Sequence, residues 1–293
     1  MNRIYQFSGR FTVIGVAAAI AAGLASGFPL ALIYAWGIIR IPDGRLSVFA
    51  TIAYGAALGA AVALAAKWGK IRNAELVGFL AFCAAAVSYY CSWGFWVQDI
   101  LVHFGERPVD AVALMQQPGE LWELIKQINQ SGTWGVTSSS TTKGIELWIL
   151  WGIEALSVPG IAVLTAVSIL RHEAFCESCE RWCAASQKLI LLPVSDLRQT
   201  KLALQQRDLS FLQKLGAGNK NQSHLEAHLQ SCPSCHNLNT LSLRQTFIQS
   251  RKFRGAGFKH VTLVDKLLLS RQEADAFRLT AQGIQQMSKA THA

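Results

Sequence analysis

The 293-residue chain is 51% hydrophobic and only 15% charged, with a mean hydropathy of +0.27; soluble globular domains carry about 25% charged residues. Residues 1–170 hold 10 Lys/Arg and 9 Asp/Glu, and residues 171–293 hold 17 and 9, so the net positive charge is concentrated in the back half. A single soluble domain, a disordered chain and a secreted disulfide framework all fit these numbers poorly, which leaves an apolar front half carrying a basic back half.

A bilayer-crossing helix needs about 20 consecutive apolar residues. Residues 11–39 are free of charge and form the first such run. Arg3 and Arg10 ahead of an Ala-rich stretch, with small residues near Ala25, also suit a cleaved signal peptide. The apolar run continues to Ile39, too long for a signal core, so it is read as a retained helix. Gly27 and Pro29 inside it predict a kink or a tilt. Residues 46–66 and 76–98 are the second and third uncharged runs, and each is expected to be helical because lipid offers the backbone no hydrogen bonds. Trp36, Trp68, Trp93, Trp96, Trp148 and Trp151 stand near the run ends, where indoles meet headgroups. Gly23/Gly27 and Gly55/Gly59 are GxxxG pairs that let helices approach closely. Packing within one bundle is the preferred reading, with a homo-oligomer as the alternative.

The outer segment 99–143 is more than a loop. Pro118 and Glu120 mark a helix first turn. Leu121, Leu124, Ile125 and Ile128 then form one apolar stripe beside Trp122, which predicts a short helix covering the bundle. Residues 132–142, rich in Ser, Thr and Gly, read as an irregular return.

The fourth run, 147–170, contains one charge, Glu154. An acid about 10 Å inside a span is costly and should face the bundle. Tyr54, Ser88, Tyr89, Tyr90 and Ser92 are its expected hydrogen-bond partners. Glu146 lies eight residues earlier on nearly the same face. A hydrogen-bonded acid that fixes packing is the plainer reading. The sharper one is a proton or cation step, with Glu146 as vestibule and Pro159-Gly160 as a helix break.

Cys83 and Cys91 are read as inert packing residues in the third run. The other five cysteines cluster as Cys176-Glu-Ser-Cys179, Cys183 and Cys232-Pro-Ser-Cys235. Two CxxC pairs are the knuckles of a four-thiolate structural Zn²⁺ site, because each tight turn supplies two of the four tetrahedral ligands. The 52 residues between Cys179 and Cys232 exceed the usual spacing, so the intervening chain must loop out and back. Cys183, His224, His228 and His236 are alternate ligands, and redox cycling of a CxxC pair is a competing use. Around the cysteines, residues 188–194, 238–248 and 261–269 read as strands. Residues 196–215, 223–230 and 271–287 read as helices, with a turn at 216–222. Arg251, Lys252, Arg254 and Lys259 form a basic patch. A solvated turn is its simplest reading; anionic lipid headgroups are the next, ahead of nucleic acid.

With the N-terminus inside, the cytoplasmic flanks carry Arg3, Arg10, Lys67, Lys70, Arg72, Arg171, Arg181 and Lys188. The outer flanks carry Arg40, Arg45, Arg107, Lys126 and Lys143. This bias places both termini in the cytoplasm.

Several stretches carry a resemblance: Gly27-Phe-Pro-Leu30, Tyr34-Ala-Trp36, Trp68-Gly-Lys-Ile-Arg-Asn73, Pro118-Gly-Glu-Leu-Trp122, Gly132-Thr-Trp134, Lys143-Gly144, Trp151-Gly-Ile-Glu-Ala155 and Phe175-Cys-Glu-Ser-Cys179. Over roughly residues 25–180 the chain resembles bacterial four-span inner-membrane proteins with a cytoplasmic, cysteine-rich, zinc-ribbon-like tail. That group has no assigned activity, so the resemblance implies topology and bacterial origin and no catalytic residues. No phosphate-binding loop, Ser/His/Asp arrangement or HExxH motif occurs in the chain, which argues against an enzyme.

The expected architecture is therefore a four-helix transmembrane bundle over 1–170 and a small cytoplasmic α+β zinc-knuckle domain over 171–293. The expected function is sensing, scaffolding or regulation through a cytoplasmic protein partner. A proton- or cation-coupled carrier using Glu154 and a membrane thiol oxidoreductase are the alternatives.

Overall fold

The computed structural model describes residues 4–41, 44–103, 109–134, 141–193, 200, 202, 218, 222–251 and 255–291. The chain divides into two compact units, Ser8–His172 and a second made of the N-terminal residues up to Phe7 with Glu173–Ala293.

The first unit is built on four long apolar helices: α1 (Val13–Arg40), α2 (Gly44–Trp68), α3 (Ala74–His103) and α6 (Ile145–His172). All four are long and apolar enough to cross a membrane, with mean hydropathy between 1.6 and 2.0 in their most apolar windows. α2, α3 and α6 overrun their apolar runs by a few residues at their ends, and the starts of α1 and α3 are capped by side chains. Thr12 Oγ1 accepts from Gly15 N–H at 2.9 Å, and Asn73 Oδ1 accepts from Leu76 N–H at 2.9 Å. These bonds satisfy donors that a helix start leaves open. α1 and α6 run through Pro29 and Pro159 without interruption, so the Pro159-Gly160 pair does not break its helix.

α1 packs on α2 and α3, and α6 packs on α2 and α3. Both GxxxG pairs are used inside the unit. A Cβ on Gly59 would overlap the carbonyl oxygen of Ala162 in α6, and one on Gly23 would lie 2.7 Å from Ala84 Cβ in α3. Only glycine allows backbones this near. The outward faces keep large apolar side chains in the open, among them Val13, Phe79, Trp68 and Leu156.

Two short helices, α4 (Ala111–Gln116) and α5 (Pro118–Ser131), lie between α3 and α6 in the chain. Pro118 opens α5 and Glu120 stands in its first turn. Its apolar stripe is buried: Leu121 and Ile125 pack with Leu114 of α4 and with Val97 and Leu101 of α3. Covering the end of α3 is thus what the stripe does. The return into α6 begins and ends in a two-stranded ladder of β1 (Thr133–Trp134) and β2 (Thr141–Thr142).

In the second unit, β3 (Phe175–Cys176) pairs with β4 (Arg181–Trp182). β5 (Gln187–Pro193), β6 (His224–Ser231), β7 (Asn239–Arg251) and β8 (Gly255–Leu269) form an antiparallel sheet in that order. The helix α7 (Arg271–Thr291) lays Ala274, Phe277, Ala281 and Ile284 on a core with Leu192, Leu225, Leu229, Leu241, Leu243 and Leu267. A capping box starts it: Ser270 N–H donates to Glu273 Oε2 at 2.7 Å, and Glu273 N–H to Ser270 Oγ at 3.2 Å. Residues 4–7 belong here too, since Ile4 bridges Leu267 and Tyr5 N–H donates to Lys266 O at 2.9 Å.

The expected helix at 223–230 is a strand. Leu225, Ala227 and Leu229 alternate with polar residues, and as β6 they place one face in the core between β5 and β7. Helix-forming residue types dominate the stretch, but the period of two is the stronger signal once neighbouring strands are available. Most of the expected helix at 196–215 and most of the 216–222 turn lie outside the described residues, and residues 200 and 202 are helical.

Candidate functional site

Two constellations carry chemistry, one in each unit. In the second unit, the Sγ atoms of Cys176, Cys179, Cys232 and Cys235 all lie within 4.8 Å of one another, an arrangement that can hold a metal ion. Each CxxC pair sits in a tight turn. Cys176 ends β3, Cys179 lies in the turn to β4, and Glu180 turns the chain with a φ of 49°. Cys232 follows β6 directly, and its N–H donates to Leu238 O at 2.9 Å across the second turn, where His236 has a φ of 54°.

The sheet brings the turns together. Gln187 pairs with Leu229, and Ala184 N–H donates to Ser231 O at 3.2 Å, so the chain leaving the first knuckle runs beside the chain entering the second. The length of the excursion matters little, because loop-closure entropy grows only logarithmically.

The thiols are unequal. The Asn237 N–H, which lies 3.4 Å from Cys235 Sγ, and hydrogen bonding from Cys179 bring Cys235 down to about 6. Donation to Cys235 pushes Cys179 up to about 12, and burial raises Cys176. The cluster therefore holds one thiolate readily; a divalent ion would stabilise the others as thiolates.

The alternate ligands are placed elsewhere. Cys183 is buried against the cluster, and burial pushes it up to about 12, but it is not one of the four. His236 is exposed beside Cys235. His224 and His228 share a strand face instead of a helix face, and both turn toward Glu226, with Nε2 to carboxylate distances of 3.4 and 3.3 Å. Burial works against the Glu226 carboxylate, yet the Lys188 ammonium and both imidazoles hold it down at about 2. In the basic patch, Arg251 and Lys259 fall in β7 and β8, while Lys252 and Arg254 lie outside the described residues.

In the first unit, Glu154 faces a cavity of about 530 Å³ between α1, α2, α3 and α6. Its hydrogen-bond donor is Tyr34 of α1, whose hydroxyl also meets Thr51 Oγ1 at 2.9 Å. The Tyr34 ring stacks on Tyr54 at 4.5 Å. None of the expected partners bonds the carboxyl. The Tyr54 hydroxyl meets Ser88 at 2.6 Å, Ser92 donates to Tyr89 O at 2.7 Å, and Tyr90 donates to Met115 O at 2.7 Å. The buried Tyr89 hydroxyl has no acceptor among the described residues.

Tyr34 was missed because its chain position, 120 residues from Glu154, carries no local sign of the contact. The available signal was a lone phenol inside an otherwise apolar first run. Glu146 is exposed in the first turn of α6 and is not among the residues that line the cavity.

Trp93, Trp96 and Trp151 wall the cavity, with ring centroids 5.0 to 5.7 Å apart in edge-to-face contacts. No lysine, arginine or histidine is among the lining residues. The first unit thus encloses one acid among aromatic rings, and the second gathers four thiols. In comparisons with known proteins, no family model, no curated protein and no solved structure matches the chain.

Proposed function

We propose that the chain is a multi-pass protein of the bacterial inner membrane whose cytoplasmic tail is a zinc-knuckle domain that engages a protein partner, as a sensor, scaffold or regulator. The observation that carries this reading is the convergence of four cysteine sulfurs from two CxxC turns. Tetrahedral zinc with sulfurs at about 2.3 Å spaces them about 3.8 Å apart, and Cys176 Sγ lies 3.7 Å from Cys235 Sγ. Two thiolate turns closed on each other fit a structural ion, which has no open coordination position, better than a catalytic one.

Four apolar helices with open outward faces support membrane insertion. Residues 4–7 and the tail share one folded unit, and four passes return the chain to the side it started from. The Lys/Arg bias makes that side the cytoplasm. The resemblance to bacterial four-span proteins points the same way.

The test is made on full-length protein purified in detergent. Elemental analysis is expected to find one zinc per chain, lost in the Cys176→Ser/Cys232→Ser double variant while membrane insertion persists. In-cell crosslinking from the tail is expected to capture a partner in the wild type and not in that variant. A zinc-free wild type whose double variant behaves identically overturns the reading.

A further inference from the structure

We propose that the Glu154 cavity is a binding site for a lipophilic organic cation, an onium ion bearing aromatic groups. This goes beyond the zinc tail and stands without it.

Three observations converge. The cavity, at about 530 Å³, falls in the size range of drug-like ligands and is walled mainly by apolar and aromatic side chains. Among the described residues it contains one carboxyl group, and no cationic side chain lines it to neutralise that group. Tyr34 is the hydrogen-bond donor that Glu154 has among the described residues. The indoles of Trp93, Trp96 and Trp151 and the rings of Tyr34 and Tyr89 line it with the acid, and the Tyr89 hydroxyl has no acceptor among the described residues.

The chemistry selects the occupant. A carboxylate in a low-dielectric site persists only with a partner of opposite charge, so the occupant that holds Glu154 ionised is a cation. A hard metal cation needs about six oxygens to replace its water, and the cavity offers one carboxylate with neutral serine, threonine and tyrosine hydroxyls in a lining that is mainly apolar and aromatic. An onium ion needs no such shell: its diffuse charge sits against π faces, and its aromatic groups pack on the walls. A neutral apolar molecule would leave Glu154 without a counter-charge. An anion would be repelled.

The probes are tetraphenylphosphonium and tetraphenylborate, of the same shape and opposite charge, added to full-length protein in phosphatidylcholine nanodiscs. Binding is read by quenching of tryptophan fluorescence and by equilibrium dialysis. Tetraphenylphosphonium is expected to saturate at one per chain, with tetraphenylborate neither saturating nor competing. Glu154→Gln is expected to weaken the cation by about a hundredfold, as removal of one partner of a buried charge pair does. Equal binding of the two ions, or equal binding by wild type and Glu154→Gln, overturns the proposal; equal binding of the ions would make the cavity a slot for acyl chains. The comparison of the two ions uses only the wild type, so it decides the matter even where the variant fails to fold.

Discussion

Cys176 and Cys235 stand 59 positions apart in the chain, and their sulfur atoms approach to 3.7 Å. The strands between them achieve this, because β5 and β6 pair along the chain segments that lead out of one knuckle and into the other. The four-cysteine cluster and the sheet are thus one construction, and damage to either is expected to be felt by both.

Stripping the proposed zinc with a chelator should therefore loosen the second unit and spare the first. Structural zinc contributes about 10 kcal/mol or more of apparent binding free energy at neutral pH. Hydrogen exchange is the measurement: amides of β3, β4 and β6 should lose protection while those of α1, α2, α3 and α6 keep theirs.

Glu226 should make the second unit sensitive to acid. Its carboxyl is held at about 2, below the unfolded value of about 4.3. A depressed acid contributes stability that is fully present above the unfolded value and is lost as pH falls through the folded one. Lys188 is partly exposed, so solvent screening reduces the effect to about 1–2 kcal/mol. In urea titrations, wild type should exceed Glu226→Gln by that amount near neutral pH. The gap should close between about pH 4.5 and pH 2. Comparing the two proteins at each pH cancels any acid loss of the proposed metal, which they would share.

Two glycines of the first unit should respond in opposite ways. Gly59→Val drives a branched side chain into the Ala162 carbonyl and should separate α2 from α6, at a cost of several kcal/mol of the kind that overpacking produces. Gly160→Ala meets nothing within 4 Å and should be neutral or stabilising by up to about 1 kcal/mol. Unfolding in mixed detergent micelles reads both.

Tyr34→Phe should leave the Glu154 carboxyl without its donor and cost about 1–3 kcal/mol. In a double-mutant cycle with Glu154→Leu, most of that cost should vanish, because the group left unsatisfied is gone. Additive losses would show that the two residues act separately.

The front half was legible because its signals are local. An uncharged run of twenty residues must be helical in lipid whatever its neighbours, and Pro118 with a 3.6-residue apolar stripe announces α5 within a dozen positions. The strand at 188–194 was readable as a short apolar run, that at 238–248 from alternation and that at 261–269 as a further run, and the structure extends the latter two into a long hairpin. The stretch 223–230 was not, since Leu, Ala, Glu and Gln suit a helix in isolation; β5 and β7 on either side make it a strand. The attachment of residues 4–7 to β8 had no sequence mark at all.

The order of residues alone settled which segments are apolar enough to cross a membrane, where one acid interrupts them, and that two thiol pairs stand ready in tight turns. Each is a property of a few neighbouring residues. Folding decided that the thiol pairs close on each other, that Tyr34 and not Ser88 or Ser92 meets Glu154, and that three indoles enclose the space beside it. Those relations join distant parts of the chain, and they exist only once sheet pairing and close helix contact have removed the freedom that separates them.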